Sequence, residues 1–397
     1  MIRSFGTRKI ILASPREPSG VTWLVNCFLE LGICCYRYHR RHLYMRRGNR
    51  EYQHPREDIL NRWLPALHRH RDNGFRFREG IEVEWTHDWP RRRYRNNDAL
   101  FFVRDPRDAL YSRYKRDDSD LGFRDYASIL DPGSLLDRVD NWCLHARSWL
   151  SRNATVTRFE DYKADAERTL RGVLDHLGIA AYDEVIARAV FESDYEKARA
   201  AEERFIGEHP EFQAQRINRS GTVGAWRGLP PTDMTVIVDL MTRGADLLAK
   251  LGYCETASGE VPDLRQYLDT MPFFADMDVR AAPPVGAPDA TAEARQKLAD
   301  FARRLDVDLL RRARLDASEG TMLCCNLRDR LAETGDAGLA DFGSIIEALG
   351  VPESVWYLSL FRRTRRLQDL RRITPAYVFQ RVIGYIRQRG AGQGARR

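Results

Sequence analysis

The sequence predicts an α/β protein, a parallel sheet flanked by helices, followed by an additional C-terminal helical region. Short apolar runs at residues 7–14, 81–86, 99–104 and 154–159 alternate with stretches of helical pattern, the arrangement that builds parallel sheets. Two of these runs end in a polar turn that opens directly into a helix. Composition then shifts across residues 254–290, which include Ala-Ala-Pro-Pro-Val-Gly-Ala-Pro at 281–288, before helical patterning resumes.

In chain order, the strand at 7–14 leads into a helix at 21–33, and 81–86 is the next strand. The run 99–104 feeds a helix over 105–116, and residues 141–150 form another. A strand at 154–159 precedes a helix at 164–177, which Gly178 ends because glycine tolerates a left-handed backbone. Residues 232–251 read as one amphipathic helix. Beyond the linker, helices are expected at 292–314, 322–333, 339–349, 354–372 and 377–388. The resulting organisation is a domain at 1–253, a Pro-rich linker at 254–290 and a helical domain at 291–397.

At 397 residues the chain exceeds the usual size of one core, and 43% hydrophobic content supports a globular protein. No apolar run approaches the roughly 20 residues that span a bilayer, and the first apolar stretch is too short for a signal peptide. A cytoplasmic, bacterial-type protein is the plain reading. The seven cysteines form no C-x-x-C pair, so reduced, mostly buried thiols are expected. His39, His42, His68 and His70 sit among arginines that repel a cation, which argues against a metal site. A formal charge of +7 favours anionic partners. It is concentrated at 36–56, 69–78, 91–95 and in the arginine-rich 361–397.

Two segments have the pattern of anion grips, residues 10–24 (IILASPREPSGVTWL) and 100–114 (LFFVRDPRDALYSRY). A strand ending in a loop and then a helix N-terminus offers unsatisfied backbone N–H groups and a favourable dipole to phosphate. Ser19, Gly20 and Thr22 supply hydroxyls and close backbone approach in the first, and Trp23 an aromatic face. In the second, Arg104 follows the strand and Ser112 comes about two helical turns later.

Ser19-Gly20-Val21-Thr22-Trp23 resembles the 5′-phosphosulfate loop of sulfotransferases that use 3′-phosphoadenosine 5′-phosphosulfate (PAPS), and 104–112 resembles their 3′-phosphate motif. Arg158-Phe159-Glu160-Asp161 with 174–178, and then 219–227 (RSGTVGAWR), resemble two later family segments in the right order. The resemblance covers residues 7 to about 253. It implies a fold close to that of nucleotide kinases, PAPS as cofactor and adenosine 3′,5′-bisphosphate (PAP) as product.

What the resemblance implies for single residues follows from these segments. Ser19, Gly20, Val21, Thr22 and Trp23 would bind the 5′ end, while Arg104, Ser112, Arg219, Ser220 and Gly221 would hold the 3′-phosphate. Trp23 and Phe159 would sandwich or flank the adenine, with Phe191 as a third aromatic, although plain core packing also accounts for all three. Arg107 and Asp108 are read as orienting the start of the helix. Thr86-His87, just past a strand, resembles the segment whose histidine deprotonates the acceptor, and His87 is the candidate base; a structural histidine at the strand end is the alternative.

The first loop departs from the family, since Pro18 stands where a lysine normally neutralises the departing phosphate. Losing one such donor typically removes about 3 kcal/mol of transition-state stabilisation. Arg16 is the candidate replacement, with an ordinary surface arginine as the alternative.

The expected reaction is sulfuryl transfer to a hydroxyl or amine of a small-molecule, glycan or lipid-linked acceptor. A weakly catalytic PAP-binding protein, or a binder of polyanions or nucleic acid, is the competing reading; nucleic acid is disfavoured because charge runs more often form solvated faces. A P-loop kinase is disfavoured because the loop lacks the G-K-[ST] ending. Residues 355–389 are expected to form basic amphipathic helices that meet an anionic membrane surface or pack as a subdomain.

Overall fold

The computed structural model describes residues 8–37, 78–208, 210, 221–254, 290–332 and 335–350. The expected linker, the helices at 354–372 and 377–388, the four clustered histidines and the basic stretches at 69–77 and 361–397 lie outside the described residues.

The first compact unit contains the sheet. Its elements are β1 (Arg8–Ala13), α1 (Val21–Glu30), β2 (Cys34–Arg37), β3 (Ile81–Thr86), β4 (Asp98–Val103), α2 (Pro106–Asp117), α3 (Phe123–Ala127) and α4 (Arg138–Leu150). There follow β5 (Thr155–Arg158), α5 (Phe159–Ala164), α6 (Ala166–His176), α7 (Asp183–Glu192), α8 (Tyr195–Glu208), a 3-10 turn at Ala225–Gly228, α9 (Pro231–Arg243) and α10 (Ala245–Lys250). The five described strands are all parallel in the order β2-β3-β1-β4-β5.

Strand alternation explains the two layers. On one face Ile10, Leu12, Val83, Trp85, Leu100 and Phe102 join Leu24 and Phe28 of α1, Tyr162 of α5 and Leu170 and Leu174 of α6 in a single buried cluster. The opposite face is met by α4, whose His145 packs against Phe101 and whose Trp149 packs against Tyr94. Buried Glu84 on that face is matched by Lys9 at 3.1 Å, Arg93 at 3.3 Å and the Tyr94 hydroxyl at 2.8 Å. A buried carboxylate is tolerable only with such partners.

Several boundaries differ from the sequence reading. The expected helix at 232–251 breaks at Gly244, where a Cβ would come within 2.9 Å of the Leu240 carbonyl and 3.2 Å of Cys143 Sγ. The strand expected to run through residue 159 ends at Arg158, and Phe159 opens α5 with Glu160 and Asp161 in the first turn, where acids favour a helix start.

The second unit groups Ile129–Asp137 with the described residues from 290 onward. Its helices are α11 (Ala290–Arg304), α12 (Val307–Arg312), α13 (Ala317–Ala332) and α14 (Phe342–Ala348). The helix expected over 292–314 is therefore two helices, because the Asp306 side chain accepts from the Leu309 N–H at 2.7 Å and caps a new start. Phe301, Leu310, Leu323, Leu327 and Ile346 are buried, and Asn326 donates to the Pro132 carbonyl at 2.6 Å. None of the seven cysteines is joined in a disulfide, and six of them are buried. No described helix is long and apolar enough to cross a membrane.

Candidate nucleotide site

Register brings the expected segments to one edge of the sheet. Ala13 pairs with Thr86 on one side and Phe101 on the other, and Val103 pairs with Arg158. Loop 14–20, His87, Arg104 and Phe159 therefore leave neighbouring strand ends. The chain leaves β1 toward β2 and leaves β4 toward β5, so connections diverge between β1 and β4. That divergence makes the crevice where open α/β sheets bind ligands.

In the first loop, Gly20 has φ 81° and ψ 9°, the left-handed region, immediately before α1. A Cβ at Gly20 would lie 2.6 Å from the Phe159 ring, so both conformation and space call for glycine. Among the described residues no side chain caps α1, whose Trp23 N–H bonds the Gly20 carbonyl at 2.9 Å. Ser19 is buried, and its Oγ has no hydrogen-bond partner among the described residues; the same holds for Trp23 Nε1.

The second grip is built from charged groups that hold each other. Asp105 caps α2 by accepting from the Arg107 N–H at 3.0 Å, and its carboxylate takes the Arg107 guanidinium at 2.9 and 2.7 Å. Arg107 also donates to the Tyr253 carbonyl at 3.0 Å and lies over Trp226. Asp108 accepts from the N–H of Gly224 at 2.6 Å and of Trp226 at 3.0 Å. Glu160 accepts from the Asp105 N–H at 2.9 Å and the Tyr253 hydroxyl at 2.8 Å. The late segment 221–226 is thus fastened to the start of α2.

Arg104 is 7% exposed, donates to the Thr222 carbonyl at 2.7 Å and stands 5.1 Å over the Phe159 ring. Its Nε has no hydrogen-bond partner among the described residues. Burial draws its pKa below the ordinary arginine value, against the opposing pull of Asp108, Glu160 and Asp105. Lys163 donates to the Gly221 carbonyl, and a Cβ at Gly221 would lie 3.7 Å from Tyr195 and 3.9 Å from Phe159. Phe159 is therefore the centre around which Gly20, Trp23, Arg104 and Gly221 gather.

Trp23 and Phe159 meet edge to face, with centroids 6.4 Å apart and planes at 66°, so the pair forms an angled surface and not a parallel slot. Tyr162 also meets Trp23 edge-on. Val21 and Thr22 open α1, and Ser112 lies half-buried on α2. Phe191 is 63% exposed at the end of α7, under the Lys197 ammonium. Arg16 is exposed at a bend, and its carbonyl accepts from Arg113 at 3.1 Å. Arg219 and Ser220 lie outside the described residues.

His87 follows β3 at once, and its Nδ1 is 3.0 Å from both the hydroxyl and the carbonyl of Ser14. Beneath it, the carbonyl of Asp88 meets His145 Nε2 at 3.1 Å and Trp149 Nε1 at 3.0 Å. Full burial lowers the His145 pKa to about 3, so this ring is neutral across the ordinary pH range. Sequence reading missed Ser14, Lys163, Thr222 and Tyr253, which act through contacts between distant segments.

The stretch from Arg95 to Ala249 in α10 matches the family model for the sulfotransferase domain. Over these residues the chain is similar to a sulfotransferase domain. The matched stretch holds the Arg104 grip and Phe159, while loop 14–20 and His87 precede it on adjoining strands. Among solved structures, the chain is similar to mouse sulfotransferase SULT7A1 complexed with PAP, at 18% identity over 62% of this chain and 88% of that one, TM-score 0.41. It is also similar to retinol dehydratase in complex with androsterone and inactive cofactor PAP, at 18% identity over 60% and 83%, TM-score 0.36. The same enzyme with retinol and PAP gives 17% identity over 60% and 83%, TM-score 0.37. No curated protein matches the chain significantly.

Proposed function

We propose that this chain binds PAPS at the Phe159-centred site and transfers its sulfuryl group to a hydroxyl or amine, with His87 as general base. One observation carries the reading. Ser19 Oγ, Trp23 Nε1 and Arg104 Nε are buried polar groups without partners among the described residues, and all belong to side chains grouped around Phe159 or beside Gly20. Each can donate a hydrogen bond, and a cluster of unsatisfied buried donors suits an anionic ligand.

The bound nucleotide would supply an activated sulfuryl group and a phosphate leaving group. Ser19, Thr22 and the N–H groups of Gly20, Val21 and α1 would hold the 5′ end. Arg104 and Ser112, with Arg219, Ser220 and Gly221, would hold the 3′-phosphate, since a guanidinium matches phosphate oxygens with a planar fork. Trp23 and Phe159 would flank the base, and Phe191 would meet it from the exposed side.

His87 would remove the acceptor proton. A carbonyl only accepts, so a bond to Ser14 O puts the proton on Nδ1 and leaves Nε2 as the basic nitrogen. Arg16, on the Arg16-Glu17-Pro18 detour, would reach the 5′ end in place of the lysine that Pro18 displaces. The acceptor is a small molecule, a glycan or a lipid-linked group.

Incubation with radiolabelled PAPS and panels of phenols, sugars and lipids tests this reading: label should pass to at least one class. The exposure of Arg16 favours a second reading, PAP binding without turnover. Tight PAP binding with no transfer to any panel would select it.

A further inference from the structure

Loop 14–20 is partly buried, through Ser14, Glu17 and Ser19, and is poor in backbone donors. Pro15 and Pro18 carry no N–H, so two of its seven residues cannot donate a backbone hydrogen bond. Its ends are tied, with the Ser14 N–H on the Thr86 carbonyl at 3.1 Å and the Gly20 carbonyl receiving the Trp23 N–H at 2.9 Å. Between these ties, the Arg16 carbonyl is received by the Arg113 guanidinium from α2 at 3.1 Å.

Arg113 is itself firmly placed. Its Nε donates to Asp117 Oδ2 at 3.1 Å, one helical turn on. Asp117 also accepts from the Tyr126 hydroxyl at 2.5 Å and from Arg116 at 3.2 Å, and Arg138 lies within 4.0 Å. The Arg138 guanidinium stacks 3.9 Å over the Tyr126 ring. Buried Glu17, the loop residue after Arg16, attracts both Arg113 and Arg138. Burial alone would raise the Asp117 carboxyl, yet Arg113, the Tyr126 hydroxyl, Arg116 and Arg138 bring it down to about 2, so this anchor is charged at every ordinary pH.

We propose that Arg113 is a positioning residue that fixes loop 14–20 against α2 and thereby joins the two phosphate grips into one unit. Arg113 adjoins Ser112 on the helix that starts at the Arg104 grip, while its side chain holds the other loop by a main-chain atom. In this proposal Arg113 acts through the loop and not on the nucleotide. It sets where Ser19 and Gly20 meet the 5′ end, and the inference rests on the nucleotide reading given above.

The ligands PAP and adenosine 3′-monophosphate separate this role from general structural damage, because only PAP carries the 5′-phosphate that the loop would grip. In calorimetric titrations, Arg113→Met should weaken PAP binding about tenfold, the loss of one charge-assisted bond, and leave 3′-monophosphate affinity unchanged. Arg113→Lys keeps the charge beside Asp117 and Glu17 but lacks the fork that serves both partners. It should fold as wild type and lose PAP affinity by a smaller factor, again without change for the 3′-monophosphate. Unchanged PAP affinity in both variants overturns the proposal, as does an equal loss for the two ligands. Failure of the wild-type protein to bind PAP overturns the underlying nucleotide reading instead, and the proposal with it.

Discussion

His87 holds Nδ1 at 3.0 Å from the Ser14 carbonyl, across neighbouring parallel strands. A bond to the carbonyl would put the proton on Nδ1, whereas the Ser14 hydroxyl at the same distance can adapt to either tautomer. His87→Ala should therefore lower turnover about 10²–10⁴-fold while PAP affinity stays at the wild-type value. Ser14→Ala keeps the carbonyl and should leave turnover within a few-fold of wild type. Steady-state rates for the two variants check both outcomes, and a near-normal His87→Ala rate would remove the base from the account.

Gly20→Ala should destabilise the fold by at least about 1–2 kcal/mol through its left-handed backbone alone. The 2.6 Å approach of Phe159 adds a steric contribution that only movement of the ring can relieve. Urea denaturation should show the loss, and adding Phe159→Ala should remove the steric part while the backbone part persists. Equal stability of Gly20→Ala and wild type would contradict the loop geometry.

His145 should make the protein acid-sensitive in a defined window. Burial lowers its pKa from 6.5 to about 3, so the folded state keeps it neutral while the unfolded chain takes up a proton as pH falls. The stabilising effect is complete above about pH 6.5 and is lost progressively as pH drops toward 3. Between pH 6.5 and 5 it amounts to about 2 kcal/mol. His145→Gln retains a donor for the Asp88 carbonyl and should show a flatter stability profile over that interval, measured by denaturant titration at several pH values. Parallel profiles for the two proteins would contradict burial of a neutral imidazole.

How far the sequence reveals this molecule depends on whether a feature is local. Apolar runs bounded by turns locate β3 at Ile81–Thr86, and the glycine before Val21 marks the start of α1. The four-residue β2, Cys34–Arg37, is too short for periodicity to separate from the end of a helix. Gly244 interrupts a continuous helical pattern, and a Cβ there would meet Cys143, about a hundred residues earlier, a contact that no local signal carries. The same limit governs the site. Ser19, Arg104 and Phe159 stand in local motifs, but the ties from Asp108 to Gly224, Lys163 to Gly221 and Arg113 to Arg16 join segments that only the fold brings together. Phe191 shows the converse, since its aromatic character was legible and its exposed position at the end of α7 was not.

The central claim is that the donors around Phe159 hold a nucleotide bisphosphate, and calorimetric titration of PAP into wild-type protein and Arg104→Ala tests it most directly. Removing a buried guanidinium that bonds a phosphate is worth about 1.5–3 kcal/mol, or one to two orders of magnitude in affinity. The account predicts saturable PAP binding by the wild type and at least tenfold weaker binding by a folded Arg104→Ala protein. No binding heat with the wild type, or equal affinity in the two proteins, would contradict it.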